Sequence, residues 1–353
     1  MSTHTQLKKK ARRMKAKPLV AAALSMPPGT AGGKSALSTG NENSPAELSL
    51  RLSSKQAWAP VAYRSIVIDG VKIAYREAGD ANKPTLLLLH GVPSSSRMYD
   101  GLMRMLGETY HLVALDYPGF GNSDAPYSFR YAYTFDHLAE TTGMFTDALG
   151  LRNYVLFMQD YGAPVGMRLA AARALAVKGM IFQNGNVYEE GLAPMWDKRK
   201  AFWRDRSAHE ATVRSTHLSL EATRARHLGS DPNVEAYNPD LWMDEFAYLN
   251  RPGQGEIQAD LIYDYQTNIA AYPAWQEWLR ENQLPTLVVW GRYDLAFTVD
   301  GAKAFRKDLP QATIEILDGG HFVMDTQLDE VAALTAGFMH EHRSDFERSS
   351  SKN

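Results

Sequence analysis

From Tyr63 onward, short apolar runs alternate with stretches of helical spacing. "RSIVID" and "VKIAYREAG" flank Gly70 and predict a β-hairpin. "PTLLLLHG" (84–91) and "YHLVALDYPG" (110–119) are continuous apolar runs, the pattern of strands buried on both faces of a parallel sheet. "NYVLFMQD", "GMIFQNG", "PTLVVWGRYD" and "ATIEILDGGH" supply four more strands. Helical patterns cover 95–106, 163–176, 301–307 and 330–340. The alternation predicts an α/β fold with a mostly parallel eight-stranded sheet flanked by helices.

Residues 185–281 break the alternation. They hold no convincing strand and are rich in Trp, Tyr, Arg and helix formers. This stretch reads as a helical insertion between two halves of the α/β core, 59–184 and 282–345. It leaves the core near the C-terminal end of a strand, where open α/β sheets bind ligands, so a lid over the site is expected. Residues 1–58 differ again: a basic cluster from Lys8 to Lys17, the short apolar piece "PLVAAALSM", then a Pro/Gly/Ser-rich stretch. They read as a disordered tail or a targeting segment. The sequence leaves the location open: cytoplasmic, or exported if the basic segment is a signal.

Composition narrows the function classes. A net charge of −2 gives no basis for a nucleic-acid or membrane-surface role. With no cysteine, disulfides, thiol catalysis and zinc–thiolate sites are excluded. No apolar run reaches the roughly 18 residues of a membrane span, so stable membrane insertion is not expected. No metal or cofactor site is read. The expected partners are a small-molecule substrate and water; oligomeric state is not encoded in any recognisable pattern.

The candidate chemistry sits at strand ends. In "VLFMQDYGAPVG" an apolar run stops at Asp160, Gly162 follows, and a helix begins. This is the form of a strand–turn–helix elbow that presents a nucleophile, with aspartate where serine is usual. Met158 is bulkier than the small residue usual two positions before the nucleophile. His321, in "LDGGHF" after the last strand, is the candidate base. Asp294, in "GRYD" after the preceding strand, is the candidate acid that orients it, with Glu189 and Glu190 as competitors. "HGVP" (90–93) ends an apolar strand, and the backbone N–H groups of Val92 and Tyr161 could form an oxyanion hole. His90 and Trp203 are candidate substrate contacts. Trp196, Trp242, Trp275 and Trp278 are further aromatics that line a pocket or fill the insertion's core.

Together, "HGVP", "LDYPGFGNSDAP", "MQDYGAP", "GRYD" and "GGHF" make 62–342 resemble the α/β-hydrolase superfamily. The aspartate at the elbow resembles the epoxide hydrolase and haloalkane dehalogenase branch, whose oxyanion turn reads H-G-x-P. The resemblance implies a lid tyrosine that donates to the opening epoxide oxygen. Tyr265, in "IYDYQTN", is the candidate, with Tyr188, Tyr237, Tyr248, Tyr263 and Tyr272 as others. In haloalkane dehalogenases a tryptophan after the nucleophile helps hold the departing halide; this chain has Tyr161 there.

An aspartate suits this chemistry. A carboxylate with an ordinary pKa near 3.9 is already ionised at neutral pH and can attack a saturated carbon directly. The product is an alkyl ester of Asp160, which His321-activated water would cleave. Attack on a carboxylic ester would instead give a reactive anhydride. The expected activity is epoxide hydrolysis on a small to medium apolar epoxide. Hydrolytic dehalogenation is the alternative, and a non-catalytic ligand-binding relative the remote one.

Overall fold

The structure is a computed structural model and describes residues 58–347. The expectation for the basic N-terminal segment therefore lies outside the described residues, apart from Trp58. An eight-stranded sheet runs in the order β1-β2-β4-β3-β5-β6-β7-β8. β1 (Val61–Ile68) and β2 (Val71–Ala78) form the expected hairpin. Asp69 and Gly70 both have positive φ, 47° and 76°, as a two-residue turn of primed type requires. β2 is antiparallel to β4 (His111–Leu115). β3 (Thr85–Leu89), β4, β5 (Tyr154–Gln159), β6 (Val177–Gln183), β7 (Thr286–Gly291) and β8 (Thr313–Leu317) are all parallel.

Continuous apolar runs are what two covered faces demand. Leu87, Leu89, Val113, Leu115, Leu156 and Met158 point into one core. Their neighbours Leu86, Leu88, Leu112, Ala114, Val155 and Phe157 point into the other. Each such buried Val, Leu, Met or Phe side chain contributes roughly 1.5–3 kcal/mol relative to exposure. α1 (Asp100–Leu106), which follows a short 3₁₀ turn, joins the second core through Leu102, Met103 and Leu106.

α2 (Phe135–Ala148) has no counterpart among the expected helices. α3 (Gly162–Ala172) follows β5 directly, and its Val165, Met167 and Leu169 pack into the first core. Between β6 and β7 the chain forms α4 (Trp196–Arg204), α5 (Arg206–His217), α6 (Leu220–Leu228), α7 (Asp240–Leu249) and the 29-residue α8 (Gln254–Asn282). After β7 come α9 (Val299–Ala304), then β8, α10 (Met324–Glu341) and α11 (Arg343–Glu347).

The inserted helices are tied to the helices and loops of the α/β core by specific polar contacts. Asp264 on α8 accepts from the Phe135 backbone N–H at 2.8 Å, and Arg168 on α3 donates to Asn268 at 2.7 Å. Gln254 donates to the Gly119 carbonyl at 2.7 Å. Among the described residues no helix is long and apolar enough to cross a membrane.

Candidate active site

Gly91, Asp160, Asn184, Asp294 and His321 all follow the C-terminal ends of parallel strands, so the sheet itself brings them together. Asp160 has φ of 47°, a left-handed conformation that an L-residue adopts only where its surroundings hold it. The clearance comes from glycines. A Cβ on Gly162 would overlap the Leu89 carbonyl, and one on Gly91 would overlap Asp160 itself. The bulk of Met158 is accommodated the same way: its Sδ fills the space beside Gly166, one turn into α3.

The Asp160 carboxylate is buried, and its two oxygens face different partners. Oδ1 accepts from the Val92 backbone N–H at 2.8 Å, and Oδ2 lies 3.6 Å from His321 Nε2. Burial raises the Asp160 pKa; His321 and the backbone N–H groups of Val92 and Tyr161 oppose that rise. The two N–H groups named from the sequence therefore converge on this one carboxylate.

His321 is held from its other side. Its Nδ1 is 2.7 Å from Asp294 Oδ2. Burial alone would lower its pKa, but Asp294, by charge and hydrogen bond, and Asp160 outweigh it, so the imidazole is raised above 6.5. Asp294 is fixed in turn: Asn184 Nδ2 donates to Oδ2 at 2.9 Å, and the Ala296 N–H donates to Oδ1 at 2.7 Å. The competing acids Glu189 and Glu190 are exposed, and Glu190 pairs with Lys307.

A cavity of about 300 Å³ opens onto Asp160, Asp294, His321 and Val92. That is the lower end of the range for small-molecule sites, roughly 300–1,000 Å³. The inserted helices form its other walls through Arg199 on α4, Val213 and His217 on α5, Arg226 on α6 and Ile262 on α8.

Three residues expected at the substrate stand outside this lining. His90 is fully buried and its ring nitrogens are both occupied. Nε2 accepts from the Tyr117 N–H at 3.2 Å, which leaves Nδ1–H to donate to the Gly91 carbonyl at 2.9 Å. His90 therefore braces the oxyanion turn and has no donor left for a substrate. Trp203 turns its indole N–H to the Ile262 carbonyl at 2.7 Å, packing α4 on α8. Tyr265 is sealed behind the cavity wall, its ring 4.5 Å from Trp196 and 5.9 Å from Tyr161. Its hydroxyl is buried without a hydrogen-bond partner. Tyr272, two turns on along α8, is within electrostatic reach of it, and Asp160 is within reach of both.

Sequence reasoning missed Asn184, His217, Arg199 and Arg226. Asn184 carried a signal: an asparagine in "FQNGN" just past a strand, where its φ is 44°. The other three lie among many Arg and His residues on the inserted helices, where no periodicity marks them. Among the described residues, no group of His, Asp and Glu side chains is arranged to hold a metal ion.

The family model described as the alpha/beta hydrolase fold matches residues 84–328. An uncharacterised hydrolase of Saccharomyces cerevisiae is 40% identical over 270 residues, spanning 75% of this chain and 92% of that protein. Haloalkane dehalogenase 2 of Mycobacterium tuberculosis is 28% identical over 286 residues, 74% of this chain and 89% of that one. Among solved structures, the epoxide hydrolase CorEH superposes with a TM-score of 0.66 at 17% identity, covering 80% of this chain and 99% of that one.

Proposed function

The chain belongs to the α/β-hydrolase fold family, and from that membership we propose that it hydrolyses epoxides through an ester of Asp160. One observation carries the proposal. A carboxylate stands at the elbow, with one oxygen on a backbone N–H at 2.8 Å and the other 3.6 Å from an imidazole that Asp294 orients. The helices 185–281 act as a lid over it.

Asp160 attacks one epoxide carbon; the ring C–O bond breaks and its oxygen takes a proton from Tyr265, which turns toward the cavity from its buried resting position behind the wall. The charge of Asp160 helps hold the Tyr265 pKa high, after burial and Tyr272. Esterification removes that charge, so Tyr265 becomes a better acid as the ring opens. His321 then takes a proton from water, whose oxygen attacks the ester carbonyl. The Val92 and Tyr161 N–H groups, already on the Asp160 carboxylate, stabilise the resulting oxyanion. Collapse releases the diol; the imidazolium and the tyrosine regain their resting protonation by proton transfer through the site.

A second reading, hydrolytic dehalogenation, is favoured by the dehalogenase relative of Mycobacterium tuberculosis and uses the same Asp160 and His321. Tyr161 in place of a halide-holding tryptophan argues against it. His321→Gln blocks the second step and accumulates the ester. Intact mass of this variant after exposure to styrene oxide should show one added epoxide, absent in the Asp160→Ala, His321→Gln double variant. An adduct with 1-chlorobutane alone, with halide release by the wild type, would install the second reading. No adduct with either compound would overturn both.

A further inference from the structure

Two buried hydrogen-bond donors of the cavity wall have no acceptor, and a half-buried arginine, Arg199, lines the wall with them. Arg226 gives Nη2 to His217, donating to the ring Nδ1 at 2.7 Å and to the carbonyl at 2.8 Å. Its Nη1 is sealed from solvent and has no partner. Because His217 Nδ1 accepts, its Nε2 carries the proton, and that N–H is also buried and unpartnered. Arg199 stacks its guanidinium 4.4 Å above the Trp196 ring. No carboxylate lies within ion-pair distance of Arg199 or Arg226 among the described residues, whereas Arg206, Arg214 and Arg280 on the inserted helices are each paired.

Burying a guanidinium without a counter-ion costs several kcal/mol. The bond to the His217 carbonyl, at the C-terminus of α5, explains one edge of Arg226 as a helix cap. It does not explain the second edge, the neutral His217 beside it, or Arg199 on a different helix. Burial and the neighbouring Arg199 pull the Arg226 pKa down only to about 10, so it stays charged at neutral pH. Burial and the same two arginines hold His217 neutral. The wall thus offers two cations and a neutral N–H donor, with no acceptor among them.

We propose that Arg226, Arg199 and His217 bind a carboxylate on the substrate, so that the enzyme acts on small epoxy acids. This rests on the Asp160 reading above and deepens it. The donors come from α4, α5 and α6, not from the elbow, so the group they hold is one that does not react. Paired guanidinium forks match a planar, bidentate carboxylate better than a spherical halide. Arg199 and Arg226 are also within electrostatic reach of Asp160, so the held acid lies a short spacer away from the attacked carbon.

The test compares 3-phenylglycidate with styrene oxide by diol release. The acid should have the higher kcat/KM. The acid-to-neutral ratio should fall roughly ten- to a hundredfold in Arg226→Gln, as expected for loss of charged hydrogen bonds. Arg226→Lys should restore part of it, and Arg199→Gln should lower it in a background that keeps the Arg226 cap. Calorimetric binding of unreactive 3-phenylpropionate reads the same site without chemistry. Binding that is lost in Arg226→Gln supports the carboxylate site even where no ester of Asp160 can be trapped. Preference for styrene oxide with no binding of 3-phenylpropionate, or competition by bromide alone, would overturn it.

Discussion

Gly166 and Met158 share one volume: a Cβ on Gly166 would overlap the Met158 Sδ, two residues before Asp160. The elbow thus tolerates a long side chain because the facing helix position has none. Gly166→Ala should push Met158 against Leu89 and destabilise the protein by roughly 1–3 kcal/mol, the usual cost of overpacking. Turnover should fall with it, since β5 aims Asp160. Adding Met158→Ala should recover much of the lost melting temperature. Gly162→Ala should not be rescued this way, because its overlap is with the Leu89 backbone carbonyl. Melting temperatures and kcat/KM of the three variants decide it; a Gly166→Ala protein with wild-type values refutes the packing account.

The sheet and the Asp160–His321–Asp294 arrangement were legible for one physical reason. A parallel strand buried on both faces must be apolar throughout, so its end is visible where the run stops. The chemistry sits at those ends. α2 was not legible because its helical pattern is masked by Thr141, Thr142, Gly143 and Thr146. Thr142 and Thr146 return their hydroxyls to carbonyls of the same helix at 2.7 Å, and Gly143 makes room for the Arg173 guanidinium. α10 begins at Met324, six positions before the start its spacing suggested, because Gln327 interrupts the periodicity with φ of −125° and ψ of 34°. His90 misled for the opposite reason: its position at a strand end was read correctly, but its nitrogens are consumed by the backbone. Arg226 and His217 could not be found from pattern at all, since their meaning lies in what they lack.

Asn184 is a positioning residue for the acid. It bridges β6 to β7 by exchanging bonds with Gly291, and it gives its remaining donor to Asp294. Asn184→Ala should lower kcat roughly tenfold, the worth of one hydrogen bond to a charged group, and leave KM little changed. Asn184→Asp should be worse, because it sets a second carboxylate against Asp294. Steady-state kinetics on a cavity-sized epoxide reads the split. A change confined to KM would mean that Asn184 shapes the cavity and not the imidazole.

The pH dependence should differ between the two half-reactions. In the free enzyme the charges of Asp294 and Asp160 raise His321, while Arg226 opposes them. Ester formation removes the Asp160 charge, so the His321 pKa should fall. The imidazole must be neutral to activate water. Ester hydrolysis in single turnovers should therefore keep its rate to a lower pH than the titration of His321 in the free enzyme suggests. Histidine NMR of wild type and Asp160→Asn gives the comparison directly: the variant should titrate at lower pH. Identical titrations would show that Asp160 does not act on His321 electrostatically.

A second imidazole ties the inserted helices to the core. His227 on α6 lies 2.7 Å from Glu245 on α7 and 2.7 Å from Asp325 in the first turn of α10, four residues after His321. Burial would lower its pKa, but the two carboxylates outweigh burial and raise it to about 10. Against burial, Glu245 is held low chiefly by the His227 charge, with Arg97 3.6 Å away adding to it, whereas burial leaves Asp325 raised. A raised histidine stabilises the fold fully below its unfolded pKa near 6.5, progressively less up to about 10, and not at all above that. The wild type should therefore lose stability between pH 7 and pH 10 as the imidazolium deprotonates and leaves Glu245 and Asp325 facing each other. His227→Gln should be less stable at pH 7 by roughly 3–5 kcal/mol, the cost of breaking a buried ionic group. Its own decline between pH 7 and pH 10 should be shallower, because the group that titrates is gone. Denaturant unfolding of both proteins at the two pH values measures this, and equal declines would assign the alkaline loss to another group.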